Sequence, residues 1–144
     1  MRDRVSDILG GKPSAELLTI ASDASVFDAV KLMVDANVGS LLVTVGGRIE
    51  GIVTERDYLR RVTLEGRTDK ETPVSEIMST PLIVTPDKSV DECMSVMTEK
   101  RIRHMPVVEN GEVVGVVSIG DVVKFKTSQQ SYQIQYLTDY ISAR

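Results

Sequence analysis

The stretch that decides the fold is Gly51-Ile-Val-Thr-Glu-Arg-Asp57, because the chain writes it again, 64 positions on, as Gly115-Val-Val-Ser-Ile-Gly-Asp121. Each copy runs glycine, two apolar residues, a hydroxyl residue, two variable residues and an aspartate. Working outward at the same offset, residues 21–60 align with 85–124 without a gap. Asp23/Asp87, Ser25/Ser89, Met33/Met97, Val43/Val107, Gly47/Gly111 and Val53/Val117 are identical pairs. Upstream, Val5-Ser-Asp-Ile-Leu9 matches Val74-Ser-Glu-Ile-Met78 at a slightly larger offset. A self-match of this length is the signature of a duplicated structural unit.

Both copies predict the same elements. A short strand comes first, at Leu17–Ile20 and at Leu82–Val84. A helix follows, opened by Ser25-x-x-Asp28 and by Ser89-x-x-Glu92, where the hydroxyl accepts from a free helix N–H and the acid reaches back. Val26, Ala29, Val30, Met33 and Val34 recur at helical spacing, as do Val90, Cys93, Met94 and Met97. Two strands then flank Gly46-Gly47 and Asn110-Gly111, dipeptides suited to the positive φ angles of a two-residue hairpin. A second helix begins near Glu55 and near Gly120. The expected class is α/β (α+β), two β-α-β-β-α repeats related by a pseudo-twofold. The expected boundaries are 1–66 for repeat 1, 67–73 for a polar linker, 74–127 for repeat 2 and 128–144 for a C-terminal helix. Each half, at about 60 residues, is too small to bury much apolar area alone.

Composition narrows the function. The 144 residues carry 17 Lys and Arg against 21 Asp and Glu, a net charge of −4, which disfavours nucleic acid as a bulk partner. No apolar run approaches a membrane span. Met1–Gly11 contains acidic residues and no apolar core, so it does not read as a signal peptide. Cys93, the one cysteine, falls on the apolar face of a helix and reads as a packing residue. His104 is the one histidine, so neither a histidine-based metal site nor a Ser/His/Asp triad can be assembled. The expectation is a protein that is not an enzyme and has no metal, in a reducing compartment, the cytoplasm. Tyr132, Tyr136 and Tyr140, four apart near the C-terminus, suit either a subunit contact or an exposed amphipathic tail.

The repeated polar pairs are Thr54/Asp57 and Ser118/Asp121. Each places a hydroxyl at a strand end and a carboxylate in the next turn, at a helix N-terminus. There unpaired N–H groups and the helix dipole favour an anion. A carboxylate accepts from both hydroxyls of a ribose, and a Thr or Ser hydroxyl donates to a phosphate. The same spacing also describes a plain helix cap, and spacing alone leaves both readings open. Arg101, Arg103 and His104 form a cationic cluster just before the strand Met105-Pro106-Val107. It suits either an anion or a helix C-terminus.

The chain resembles the CBS-domain family, and specifically a tandem pair of such domains (a Bateman module). The resemblance rests on "TPDKSVDECMSVM", "RIRHMPVVENGEVVGVVSIGDVV" and "SDASVFDAVKLM…GSLLVTVGGRIEGIVTERDYL", and it extends over residues 5–125. It implies a regulatory module that binds an adenine nucleotide, AMP, ADP, ATP or NAD(H), in a cleft between the repeats. Asp57 and Asp121 would hold ribose, Thr54 and Ser118 would lie by phosphate, and Arg103 and His104 would meet phosphates. The repeat-one counterparts of that pair, Gly39 and Ser40, are small and uncharged, while Arg56 has Gly120 as its counterpart, so the two sites should be unequal. Leu18, Ile52, Leu82 and Val116 are the matched apolar candidates for a base slot, and each equally suits plain core. The resemblance further implies a homodimer, an unidentified regulated protein, and signalling of cellular energy or redox state. S-adenosylmethionine ranks lower as a ligand because it lacks phosphate. A structural subunit with empty clefts is the alternative.

Overall fold

A computed structural model describes residues 3–11, 17–129 and 141–142. In chain order its elements are α1 (Val5–Gly10), β1 (Thr19–Ala21), α2 (Val26–Ala36), β2 (Ser40–Val45), β3 (Arg48–Thr54), α3 (Glu55–Tyr58), α4 (Val90–Lys100), β4 (His104–Glu109), β5 (Glu112–Ser118) and α5 (Ile119–Gln129). A π-helical turn, Leu59–Thr63, extends α3, and a 3-10 turn covers Val74–Glu76. The expected tail helix and its tyrosines fall almost wholly outside the described residues.

The chain divides into two compact units that interleave the sequence repeats: residues 17–81 form one, and residues 3–11 join those from 82 onward in the other. In the 17–81 unit, β1 runs parallel to β2, and β2 is antiparallel to β3. The hairpin turns through Gly46 and Gly47 at φ +58° and +81°, a conformation that glycine adopts without steric cost. Helix α2 starts because the Ser25 hydroxyl accepts the Asp28 N–H at 3.1 Å. It stops at Asn37, which turns left-handed at φ 56°. Its buried face, Val26, Ala29 and Met33, packs with Leu41, Val43, Val53, Val62, Val74 and Ile77. The stretch read as a linker is tied to this helix. The Thr72 and Asp69 carbonyls accept the first N–H groups of α2, from Val26 at 2.8 Å and Phe27 at 3.0 Å, supplying partners that the helix itself cannot.

The second unit repeats this plan with a shortened sheet. Its hairpin, β4 to β5, turns through Asn110 and Gly111 at φ +53° and +78°. Ser89 caps α4 through the Glu92 N–H at 3.0 Å. Val84, Val90, Cys93, Met97, Met105, Val107, Val117 and Val122 form the core together with Val5 and Ile8 of α1. The strand expected at Leu82–Val84 does not form, and only a parallel bridge, Val84 to Val107, remains. The cause lies at two prolines: the Ser22 N–H donates to Thr44 O at 2.8 Å in the first unit, and its counterpart Pro86 has no N–H. In the first unit the Leu42 N–H donates to the Leu18 carbonyl at 3.1 Å. The counterpart of Leu42 is Pro106, which has no N–H to donate.

The interleaving rests on matched hydrogen bonds. Val5 N–H donates to Lys88 O at 2.8 Å, Ser6 N–H to Pro86 O at 3.0 Å, and Val90 N–H to Asp3 O at 2.7 Å. In the other unit Val74 N–H donates to Ala24 O at 2.8 Å, Ser75 N–H to Ser22 O at 2.9 Å, and Val26 N–H to Thr72 O at 2.8 Å. Each Val-Ser-acid-Ile segment therefore straps the sheet of the other sequence repeat. Val5 and Val74 are both fully buried, and burying a valine side chain stabilises by roughly 1.5–3 kcal/mol.

Candidate functional site

The two polar pairs sit in equivalent places, one in each unit. Thr54 ends β3 and caps α3: its hydroxyl accepts the Asp57 N–H at 3.2 Å, and Asp57 Oδ2 accepts the Thr54 N–H at 2.9 Å and its hydroxyl at 3.1 Å. Ser118 ends β5 and does the same for α5: its Oγ accepts the Asp121 N–H at 3.0 Å, and Asp121 Oδ2 accepts the Ser118 N–H at 2.9 Å. The capping reading of the repeated motif is thus realised in both copies. Each cap is made through Oδ2. An ionised carboxylate has acceptor positions on both oxygens, and both aspartates are half-buried at the protein surface.

Strand register fixes which expected residues meet. Ser40 lies opposite Thr54, and the Gly39 carbonyl accepts the Glu55 N–H at 3.0 Å. In the other unit His104 lies opposite Ser118, and the Arg103 carbonyl accepts the Ile119 N–H at 2.8 Å. Each motif is thus bordered by the two residues that open the neighbouring strand. In the 17–81 unit these are uncharged, and in the other they are an arginine and a histidine. Arg56, half-buried, stands next to Asp57 on α3, and its counterpart Gly120 offers no side chain.

The base-slot candidates are less evenly matched. Ile52 is buried, and its backbone pairs with Ser79 through two bonds of 2.9 Å. Leu18 is half-buried against the core of its unit. Val116 is half-buried, whereas Leu82 is 45% exposed. Leu82 and Leu18 differ because the strand that would hold Leu82 lacks the donors replaced by Pro106 and Pro86.

The motif glycines have a structural cause that sequence reading missed. A Cβ on Gly51 would stand 3.0 Å from Met78 Sδ and 3.1 Å from the Ser79 carbonyl oxygen. A Cβ on Gly115 would stand 2.8 Å from Leu9 Cδ2. Leu9 and Met78 close the two strapping segments, so each glycine makes room for a strap. The available signal was the match between Val5–Leu9 and Val74–Met78, whose last residues are these two.

Other chemistry is sparse. Cys93 is buried with its Sγ 3.8 Å from Met105 Sδ, and burial pushes its thiol pKa up. The Thr85 hydroxyl, 2.5 Å from Asp87 Oδ1, holds that exposed carboxyl below its usual range. Among the described residues no group of three or more His, Cys, Asp or Glu is placed to hold a metal, and no helix is long and apolar enough to cross a membrane.

Comparison with known proteins identifies the repeated unit. The family model of the CBS domain matches twice, over residues 5–64 and 74–128. The mitochondrial CBS domain-containing protein CBSX3 of Arabidopsis thaliana is 40% identical, over 95% of this chain and 71% of its own length. The structure of a protein with CBS domains from Burkholderia ambifaria MC40-6 superposes with a TM-score of 0.85 at 46% identity, covering 89% of this chain and 96% of that one. Two neighbours, each at TM-score 0.74 and 25% identity, were solved with ligands. PAE2072 of Pyrobaculum aerophilum is complexed with AMP and is matched over 95% of this chain and 98% of its own. The CBS domain pair of MJ0100 is complexed with 5'-methylthioadenosine and S-adenosyl-L-methionine and is matched over 88% of this chain and 98% of its own. With the duplicated elements, the two capped motifs and the doubled family match in agreement, the chain belongs to the CBS-domain family and carries two CBS domains in tandem.

Proposed function

We propose that this chain is a regulatory module that binds an adenosine-bearing ligand at its Thr54/Asp57 and Ser118/Asp121 motifs and passes the ligand's presence to a partner protein. The observation that carries the proposal is the repeated cap, which sets a half-buried carboxylate at the same strand end and helix start in each unit. The AMP and S-adenosyl-L-methionine complexes of two structural neighbours support the ligand class. Ser118/Asp121, bordered by Arg103 and His104, is the motif suited to a phosphate-bearing nucleotide such as AMP, ADP, ATP or NAD(H), since arginine meets phosphate through two parallel N–H donors. Thr54/Asp57, bordered by Gly39 and Ser40 with Arg56 beside it, offers fewer cations and should bind such ligands more weakly. On this reading the output reports cellular energy or redox state.

A second ligand class has an observation in its favour. The MJ0100 neighbour holds a thioether nucleoside and a sulfonium nucleoside, neither of which carries phosphate. A thermal-shift panel of AMP, ADP, ATP, NAD, NADH and S-adenosylmethionine separates the classes. A nucleotide sensor is stabilised by linkage in the phosphate-bearing arms, and Asp121→Asn reduces that shift while keeping a side-chain oxygen for the cap. An unchanged melting temperature in every arm would leave the module without its ligand and favour a structural subunit. Incubation with ATP or NAD should yield no product.

A further inference from the structure

The strap of the 17–81 unit does more than fill a core. Met78 Sδ lies where a Cβ on Gly51 would be 3.0 Å away, and Ser79 exchanges both backbone bonds with Ile52 at 2.9 Å. Two residues further along β3 is Thr54, the capping residue of the first motif. In the other direction the strap ends at Pro81, and Leu82 belongs to the other unit. There Val84 N–H donates to Pro106 O at 3.0 Å and Val108 N–H to Val84 O at 2.8 Å, on the strand that begins at His104 opposite Ser118. Chain continuity and backbone bonds therefore join the neighbourhood of one motif to that of the other within a few residues.

We infer that the segment Val74–Val84 couples the two motifs, with Met78 as the positioning residue that holds it on Gly51. The element with two states is the Ile52–Ser79 pair, closed or open. A ligand on Thr54/Asp57 that orders the end of β3 favours the closed pair, and it shifts the balance only by its difference in affinity for the two states. The closed pair fixes Ser79, and through four intervening residues it steadies the Val84 bridge on β4. The close fit at Gly51 leaves little slack for the displacement to be absorbed, as expected of a packed interior. Leu9, lying on Gly115, holds the equivalent place in the other unit. The inference rests on the proposed binding role of Thr54 and Asp57.

The test uses the full chain carrying Asp121→Asn, so that only the first motif is intact, with AMP as the probe and amide hydrogen exchange as the readout. AMP should slow exchange at residues 52–57. It should also slow exchange at Val84 and Val108, by about fivefold or more, the lower end of ordinary coupling between sites. Adding Met78→Ala should leave the slowing at 52–57 and abolish it at Val84 and Val108. Met78→Leu, which conserves volume, should restore it. Slowing at Val84 that survives Met78→Ala means direct ligand contact and overturns the coupling, as does slowing confined to 52–57. If AMP slows nothing at 52–57, the binding reading falls and takes the coupling with it.

Discussion

Gly51 and Gly115 occupy the same motif position, yet replacing them should have unequal effects. Alanine at Gly51 meets a thioether sulfur and a backbone carbonyl, and the carbonyl cannot swing aside. Alanine at Gly115 meets the far end of a leucine side chain, which can change rotamer. We expect Gly51→Ala to cost about 1–3 kcal/mol, the ordinary range for overpacking, and Gly115→Ala to cost less, both measured by urea denaturation. Cys93 makes a second case. Its thiol should resist a thiol reagent in the native protein at neutral pH and react fully once the chain unfolds. Because burial raises its folded pKa above the ordinary 9.0, the neutral thiol's contribution is complete below that value and is lost as pH climbs past it. The wild-type urea midpoint should therefore fall above about pH 9 more steeply than that of Cys93→Ala. An equal fall in both would remove the thiol from the explanation.

At the scale of elements, the two repeats differ where two backbone donors are missing. Leu42 donates to Leu18 and Ser22 to Thr44, whereas their counterparts Pro106 and Pro86 cannot donate, and a three-residue strand shrinks to one bridge. Pro106→Leu should lengthen that strand, seen as slower amide exchange at residues 83–85. Its net stability change should stay within about 1 kcal/mol, because the new hydrogen bond is offset by the added freedom of the unfolded chain. The helix starts behave alike in both repeats: Ser25→Ala and Ser89→Ala should each cost about 1 kcal/mol. A large inequality between them would mean that one cap is redundant, as the additional bond from the Phe27 N–H to Asp69 O would make it for α2.

For the whole molecule, interleaving decides which residues stabilise which unit. Val5 is encoded in the first repeat but is buried with Val84, Val107 and Val117 of the second. Val5→Ala should lower stability by about 2 kcal/mol, a modest core truncation. Exchange should quicken in α4, β4 and β5 rather than in α2. Residues 74–144 expressed alone should fail to form a cooperative fold, since they lack α1 and carry a strap for an absent unit. A sharp urea transition from that fragment would contradict the interleaving.

Local chemistry made much of this protein legible in its sequence. The duplicated Gly-x-x-Thr/Ser-x-x-Asp stretch, the hairpin dipeptides and the Ser-x-x-acid starts are short-range signals, because turns and caps are settled by residues within four positions of each other. The motifs' neighbours at Gly39, Ser40, Arg103 and His104 followed from the same short hairpins. Tertiary structure alone decided that the opening segment of each repeat straps the other, that Gly51 and Gly115 are small because Met78 and Leu9 lie on them, and that Leu82 is left exposed. Those facts depend on pairings between residues roughly 25 to over 100 positions apart, whose closure is set by the packing of the whole chain, and no local pattern reports them.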